Sequence, residues 1–198
     1  LTSFPAGAKL GTAAENVNFT NAFRASGLTA LPDNLNMSSG DDFESTFNGC
    51  GSLTTIGTGV LLGTANATAT VNFAYSFINT GLTALPANLD LSQGSTFLSA
   101  FSGCSSLTTI GSGVLLGTAS TSVNFTSAFN GCSALTALPA GLDMSQGVTF
   151  FSAFESCTSL TTIGNGVLLG TAASSVNFSS VFKSCTNLVT LPANLNLS

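Results

Sequence analysis

Stacking the segments that open on Leu-Thr exposes the pattern of this chain. They begin at Leu1, Leu28, Leu53, Leu82, Leu107, Leu135, Leu160 and, as Leu-Val, at Leu188. The spacings alternate between a shorter and a longer form, 27, 25, 29, 25, 28, 25 and 28 residues. A fixed period in this range marks a solenoid, in which each coil buries its apolar side chains against its neighbours. The shorter form reads LTALPANLDLSQGSTFLSAFSGCSS from Leu82 and the longer LTTIGSGVLLGTASTSVNFTSAFNGCSA from Leu107. In both, LTxL or LTxI predicts a short strand that Pro or Gly ends. The following Phe-x-x-x-Phe-x-x-Cys run places Phe125, Phe129, Cys132 and Leu135 at i, i+4, i+7 and i+10. That spacing puts apolar side chains on one helical face and predicts a short helical turn on the outer side of each coil. The same columns recur as Phe97, Phe101, Cys104 and as Phe178, Phe182, Cys185, so Phe should stack on Phe and Cys on Cys.

The expected fold is therefore an α/β repeat: a single leucine-rich-repeat solenoid over 1–198, about seven coils of 25 and 27–29 residues without evident caps. A parallel sheet of short strands would line its concave face, with helical turns outside. The residue after the opening Leu is Thr in seven of eight coils, and the next column alternates Ala with Thr. These positions should face outward and form an uncharged sheet face about 35 Å long, with strands about 4.8 Å apart. The candidate binding residues are Thr29, Thr54, Thr55, Thr83, Thr108, Thr109, Thr136, Thr161 and Thr162.

The run F-x-x-x-F-x-x-C-x-x-L-T-x-[LI], seen best in LDMSQGVTFFSAFESCTSLTTI from Leu142 to Ile163, resembles the BspA-type leucine-rich repeats of bacterial surface proteins. The resemblance spans essentially the whole chain. It implies an extracellular or cell-surface protein that adheres to a protein or glycan on another cell or matrix. The chain departs from such repeats in lacking their second Ile-Pro strand motif, having LPxxLxxS or GxGVLLGTA after the main strand.

Composition narrows the chemistry. Charged residues make up 6% of the chain, and eight acids against Lys9, Arg24 and Lys183 give a net charge of -5, so no basic stripe exists to neutralise phosphates. Nucleic acid is not an expected partner. No apolar run approaches the roughly 18 residues of a membrane span. The sixteen Phe and the regular Leu exclude a disordered chain. With no His, Ser-His-Asp and Cys-His sites are impossible, and no catalytic, cofactor-binding or metal residue is assigned: the chain is expected not to be an enzyme.

Asp41, Asp42 and Glu44 read as a solvated loop variation, with a weak cation site as the minor alternative. Cys50, Cys104, Cys132, Cys157 and Cys185 share one column with Ser26 and Thr80, which favours buried free thiols over cross-links. The GTGVLLG, GSGVLLG and GNGVLLG strings follow a strand without opening a helix and read as turn glycines, not as a dinucleotide fingerprint. Sequons at Asn18, Asn36, Asn66, Asn124, Asn177 and Asn196 are about as many as chance gives in so Asn-, Ser- and Thr-rich a chain. Two further functions fit the pattern: a structural subunit that stacks on copies of itself end to end into a filament or sheath, and, remotely, an ice-binding protein. The Ala in every other coil of the second column leaves the Thr array incomplete for the latter.

Overall fold

The structure, a computed structural model, describes residues 1–12, 16–65, 70–172, 175–192 and 195. The chain winds as a parallel β-solenoid of about six turns. Each coil crosses three short strands and then a run of turns. The first strand column comprises Ala30–Leu31, Thr55–Ile56, Ala84–Leu85, Thr109–Ile110, Ala137–Leu138 and Thr162–Ile163. The second runs from Asn36–Met37 through Leu61–Leu62, Asp90–Leu91, Leu115–Leu116 and Asp143–Met144 to Leu168–Leu169. The third, from Val17–Asn18 to Gly147–Thr149, is one continuous six-stranded sheet. All pairings are parallel. Three strand ladders thus stand where the repeat alone suggested one.

The expected helical turns do not form: among the described residues there is no helix. The Phe-x-x-x-Phe-x-x-Cys segments are chains of overlapping turns. The first, third and fifth residues, counting the first Phe as one, send their N–H groups to the next coil, as in Phe125 to Thr149 (2.9 Å), Ser127 to Phe151 (2.8 Å) and Phe129 to Ala153 (2.8 Å). Ala128, Asn130 and Cys132 instead donate back three residues, to Phe125, Ser127 and Phe129. Half the donors a helix would use internally are therefore committed between coils. Every fourth residue has positive φ, Ser127 (53°) and Gly131 (72°) in this coil, which a right-handed helix cannot accommodate. Phe125, Ala128, Phe129 and Cys132 still point inward and are buried, so a four-residue turn period presents the same inward face as a helix.

The core is a set of columns. Two ladders of seven Phe rings, Phe19 to Phe178 and Phe23 to Phe182, stack with centroids 5.1–5.7 Å apart and planes 3–25° from parallel. Phe4 packs edge-on against Phe23 at 5.0 Å. Ten of these rings are almost wholly buried, and each carries a large hydrophobic burial. The few buried hydroxyls are satisfied: Thr46 donates to the Phe19 carbonyl (2.9 Å) and Ser76 to that of Phe43 (2.8 Å).

The alternation of LP and IG coils has a packing cause. Gly57, Gly111 and Gly164 lie against the Pro32, Pro86 and Pro139 turns of the preceding coil, where a Cβ on Gly111 would sit 2.5 Å from the Ala87 nitrogen. Their N–H groups donate back to Leu31 (2.7 Å), Leu85 (2.8 Å) and Leu138 (2.9 Å). The Pro coil and the Gly coil that follows it form one close-packed unit. Where a Gly coil meets the next Pro coil, Pro86 and Pro139 have no N–H to give, and that rung is missing.

Candidate recognition face

Thr29, Thr54, Thr55, Thr83, Thr108, Thr109, Thr136, Thr161 and Thr162 all lie exposed on the first strand column or beside it. The strand burial alternates as the sequence requires, with Ile56, Ile110 and Ile163 inward. In the leading column every Thr hydroxyl donates to the backbone carbonyl of the Thr one coil earlier. The distances are 3.4 Å for Thr29 to Thr2, 3.3 Å for Thr54 to Thr29, 3.3 Å for Thr83 to Thr54, 2.9 Å for Thr108 to Thr83, 3.3 Å for Thr136 to Thr108 and 3.1 Å for Thr161 to Thr136. The backbone N–H groups of the same residues repeat the step, for example Thr108 to Thr83 at 2.9 Å. Each side chain is thus held in one rotamer, its hydroxyl hydrogen committed and its lone pairs left to accept. No charged residue stands in either column. The arrangement can accept hydrogen bonds and offer methyl contacts; it holds no nucleophile with an adjacent base.

The remaining candidates resolve into packing. The five thiols are free and buried, and each donates to the carbonyl of the second ladder Phe one coil earlier: Cys50 to Phe23 (3.0 Å), Cys104 to Phe77 (3.1 Å), Cys132 to Phe101 (3.2 Å), Cys157 to Phe129 (3.2 Å) and Cys185 to Phe154 (3.0 Å). Ser26 and Thr80 join the column through hydrogen bonds with Cys50 (3.3 Å) and Cys104 (3.2 Å). Burial pushes the Cys104 and Cys132 thiols up, away from the reactive thiolate.

Asp42 belongs to a column in which each coil caps its own turn. Its Oδ1 accepts the Glu44 N–H (2.9 Å), as Asn18, Asn72, Asn124 and Asn177 accept those of Thr20, Ala74, Thr126 and Ser179. Glu44 accepts from Asn72 (3.4 Å), and the described residues contain no group of three metal-ligating side chains. Gly59, Gly113 and Gly166 have φ of 67–74° in the turn after the first strand, the position Asn34 and Asn88 fill at 58° and 59°. The glycine strings are turns. Of the sequons, Asn18, Asn36, Asn124 and Asn177 accept the N–H two residues on through their side chains, and Asn66 and Asn196 lie outside the described residues.

One surface was not anticipated. The outward column of the second face alternates Asn36, Leu61, Asp90, Leu115, Asp143 and Leu168, and Leu61 and Leu115 are 36% and 38% exposed. The sequence carried the signal: in VLL the middle residue of an alternating strand must face out. No helix of the described residues is long and apolar enough to cross a membrane. In comparisons with protein families, curated proteins and solved structures, nothing matches this chain.

Proposed function

We propose that this chain is a non-catalytic recognition module that binds a protein or a glycan through its Thr face. The observation that carries the reading is the hydroxyl array itself, one Thr per coil, exposed, uncharged and fixed by a bond to the coil before. Side chains already ordered in the free protein lose little rotamer freedom on binding, and Thr, stiff at χ1, has little to lose. An extracellular or cell-surface setting and a kinship with BspA-type leucine-rich repeats rest on the F-x-x-x-F-x-x-C-x-x-L-T run and on nothing in the fold beyond the solenoid.

The test is a glycan and matrix-protein array probed with the wild-type chain and two triple variants at Thr83, Thr108 and Thr136. Substitution by Val, which Val189 already places in this column, removes the hydroxyls and keeps the shape. Substitution by Arg obstructs the face. Binding that Val weakens and Arg abolishes supports the reading. An array without a hit, or a ligand indifferent to both variants, overturns it. Thermal hysteresis measured on the same sample would assign the face to ordered water instead.

A further inference from the structure

The second face carries a site of a different kind. Inside each two-coil unit the turns after the first strand are tied together twice, by Gly57 to Leu31 and by Asn34 to Thr58 (2.8 Å) in one unit, and by Gly111 to Leu85 and Asn88 to Ser112 (2.9 Å) in the next. At the two later junctions between units neither tie is made. Pro86 and Pro139 have no N–H, and neither Gly59 to Ala87 nor Gly113 to Ala140 repeats the bond that Gly7 makes to Asp33 (3.2 Å) at the first junction.

The turns stand apart there. Between 57–61 and 86–90 a cleft of about 90 Å³ opens, the volume of about three waters. Val60, Leu61, Pro86 and Leu89 give it apolar walls, and Asp90 stands at its edge. Asp90 Oδ1 accepts the Ser92 N–H (2.9 Å), and its second oxygen makes no hydrogen bond within the described residues. The next junction repeats the outward pair: Leu115 lies beside Asp143 in register, and Asp143 likewise commits Oδ1 alone, to Ser145 (2.9 Å). Asp33, Asp90 and Asp143 line this side of the solenoid against a single cation, Lys9.

We propose that these junctions seat arginine side chains of a partner polypeptide. The guanidinium meets the free carboxylate oxygen of Asp90 or Asp143, and its aliphatic stem lies over Leu61 or Leu115 and the proline of the turn. Apolar walls beside a lone carboxylate favour a long cationic side chain over an anion or a neutral polyol. The two seats are two coils apart, about 10 Å. Arginines three residues apart on a polyproline II chain, with three residues per turn and a rise of about 3.1 Å each, lie on one face and span about the same distance.

The experiment is an NMR titration of the full chain with Ac-Arg-Gly-Gly-Arg-NH2, with Nα-acetylarginine amide, and with the same tetrapeptide carrying citrulline for both arginines. Amide shifts should concentrate in 57–61, 86–90 and the corresponding 111–115 and 139–143. The two-arginine peptide should bind about tenfold tighter than the single arginine, because the second contact is intramolecular. Asp90→Asn with Asp143→Asn should weaken it at least about fivefold. That variant keeps the turn, since Asn36 fills this column in another coil and caps Ser38 in the same way (3.0 Å). Asp41→Asn, on the third face, should change nothing. Citrulline binding as well as arginine, shifts spread over all the acids, or an unaffected Asp90→Asn/Asp143→Asn variant would each overturn the proposal. The Thr-face variants leave this titration unchanged, so the two sites stand or fall separately.

Discussion

Replacing Gly111 by Ala tests the close packing of Pro and Gly coils. The backbone at Gly111 does not have positive φ, so no dihedral strain complicates the change. The added Cβ would lie 2.5 Å from Ala87 N, 2.7 Å from Ala87 Cα and 2.7 Å from Pro86 C, all of them backbone or backbone-anchored atoms that cannot rotate away. Ordinary contacts of this kind are about 3.5–4.0 Å, so the coils must part by about 1 Å. Overpacking of this sort costs about 1–3 kcal/mol. The parting also stretches the 2.8 Å bond from Gly111 to Leu85, worth about 1 kcal/mol net. Against these stands a gain of about 0.4–1 kcal/mol from a less flexible unfolded chain. The expected result is a net loss of about 2 kcal/mol, read as a drop of about 1 M in the urea midpoint. Gly51→Ala is the control: no atom lies within 4 Å of its Cβ position and its φ is not positive, so it should be neutral or slightly stabilising. If Gly111→Ala matched Gly51→Ala, the packing account of the two coil forms would be refuted.

Three further outcomes follow from the same geometry. Ser156 sits at φ 63° in a column that Gly fills at 49, 103 and 131, so Ser156→Gly should raise the urea midpoint by the equivalent of about 0.5–1 kcal/mol, the relief of a left-handed Ser less the added freedom of Gly. The buried Cys104 and Cys132 thiols should react with an aromatic disulfide reagent at pH 8 only at the rate of unfolding, and Cys132→Ser should fold normally because Ser26 already occupies that column; rapid labelling of either in the native protein would contradict this. Glu155 is hydrogen-bonded by Lys183 and Ser152, which hold its carboxyl below the usual value, with Lys183 Nζ at 2.7 Å. Because the folded value is the lower one, its contribution is full above the unfolded carboxyl range, near pH 4.5, and fades as pH falls through the folded value. Lys183→Met should flatten that part of the acid dependence of stability.

Much of this was visible in the chain. Columns of Phe, Cys and Thr at a repeating offset can only be stacked coils, and strand alternation fixed which Thr would face outward. The turn segments were misread because Phe125, Phe129 and Cys132 point inward at the same offsets in a helix and in a four-residue series of turns. The distinguishing signal was the Ser and Gly paired four residues apart within a coil, at 99 and 103, 127 and 131, 152 and 156, and 180 and 184, which the backbone holds at positive φ. A helix of this length does not carry such residues on a fixed four-residue beat. The cleft between 57–61 and 86–90 was not legible, since LP and IG coils alternate plainly but the sequence does not say which neighbour each turn presses against. Only the missing proline donors, placed in the ladder, separate a tight contact from an open one.

The claim that the coils are stacked turns, with half their donors committed between coils, comes down to the Ser127 amide. A through-hydrogen-bond scalar coupling experiment on the isotope-labelled chain reads its acceptor directly. The expected coupling is from Ser127 N to the carbonyl carbon of Phe151, across the 2.8 Å contact between coils. A coupling from Ser127 to the carbonyl of Val123, four residues back, would mean a helix and would contradict the account.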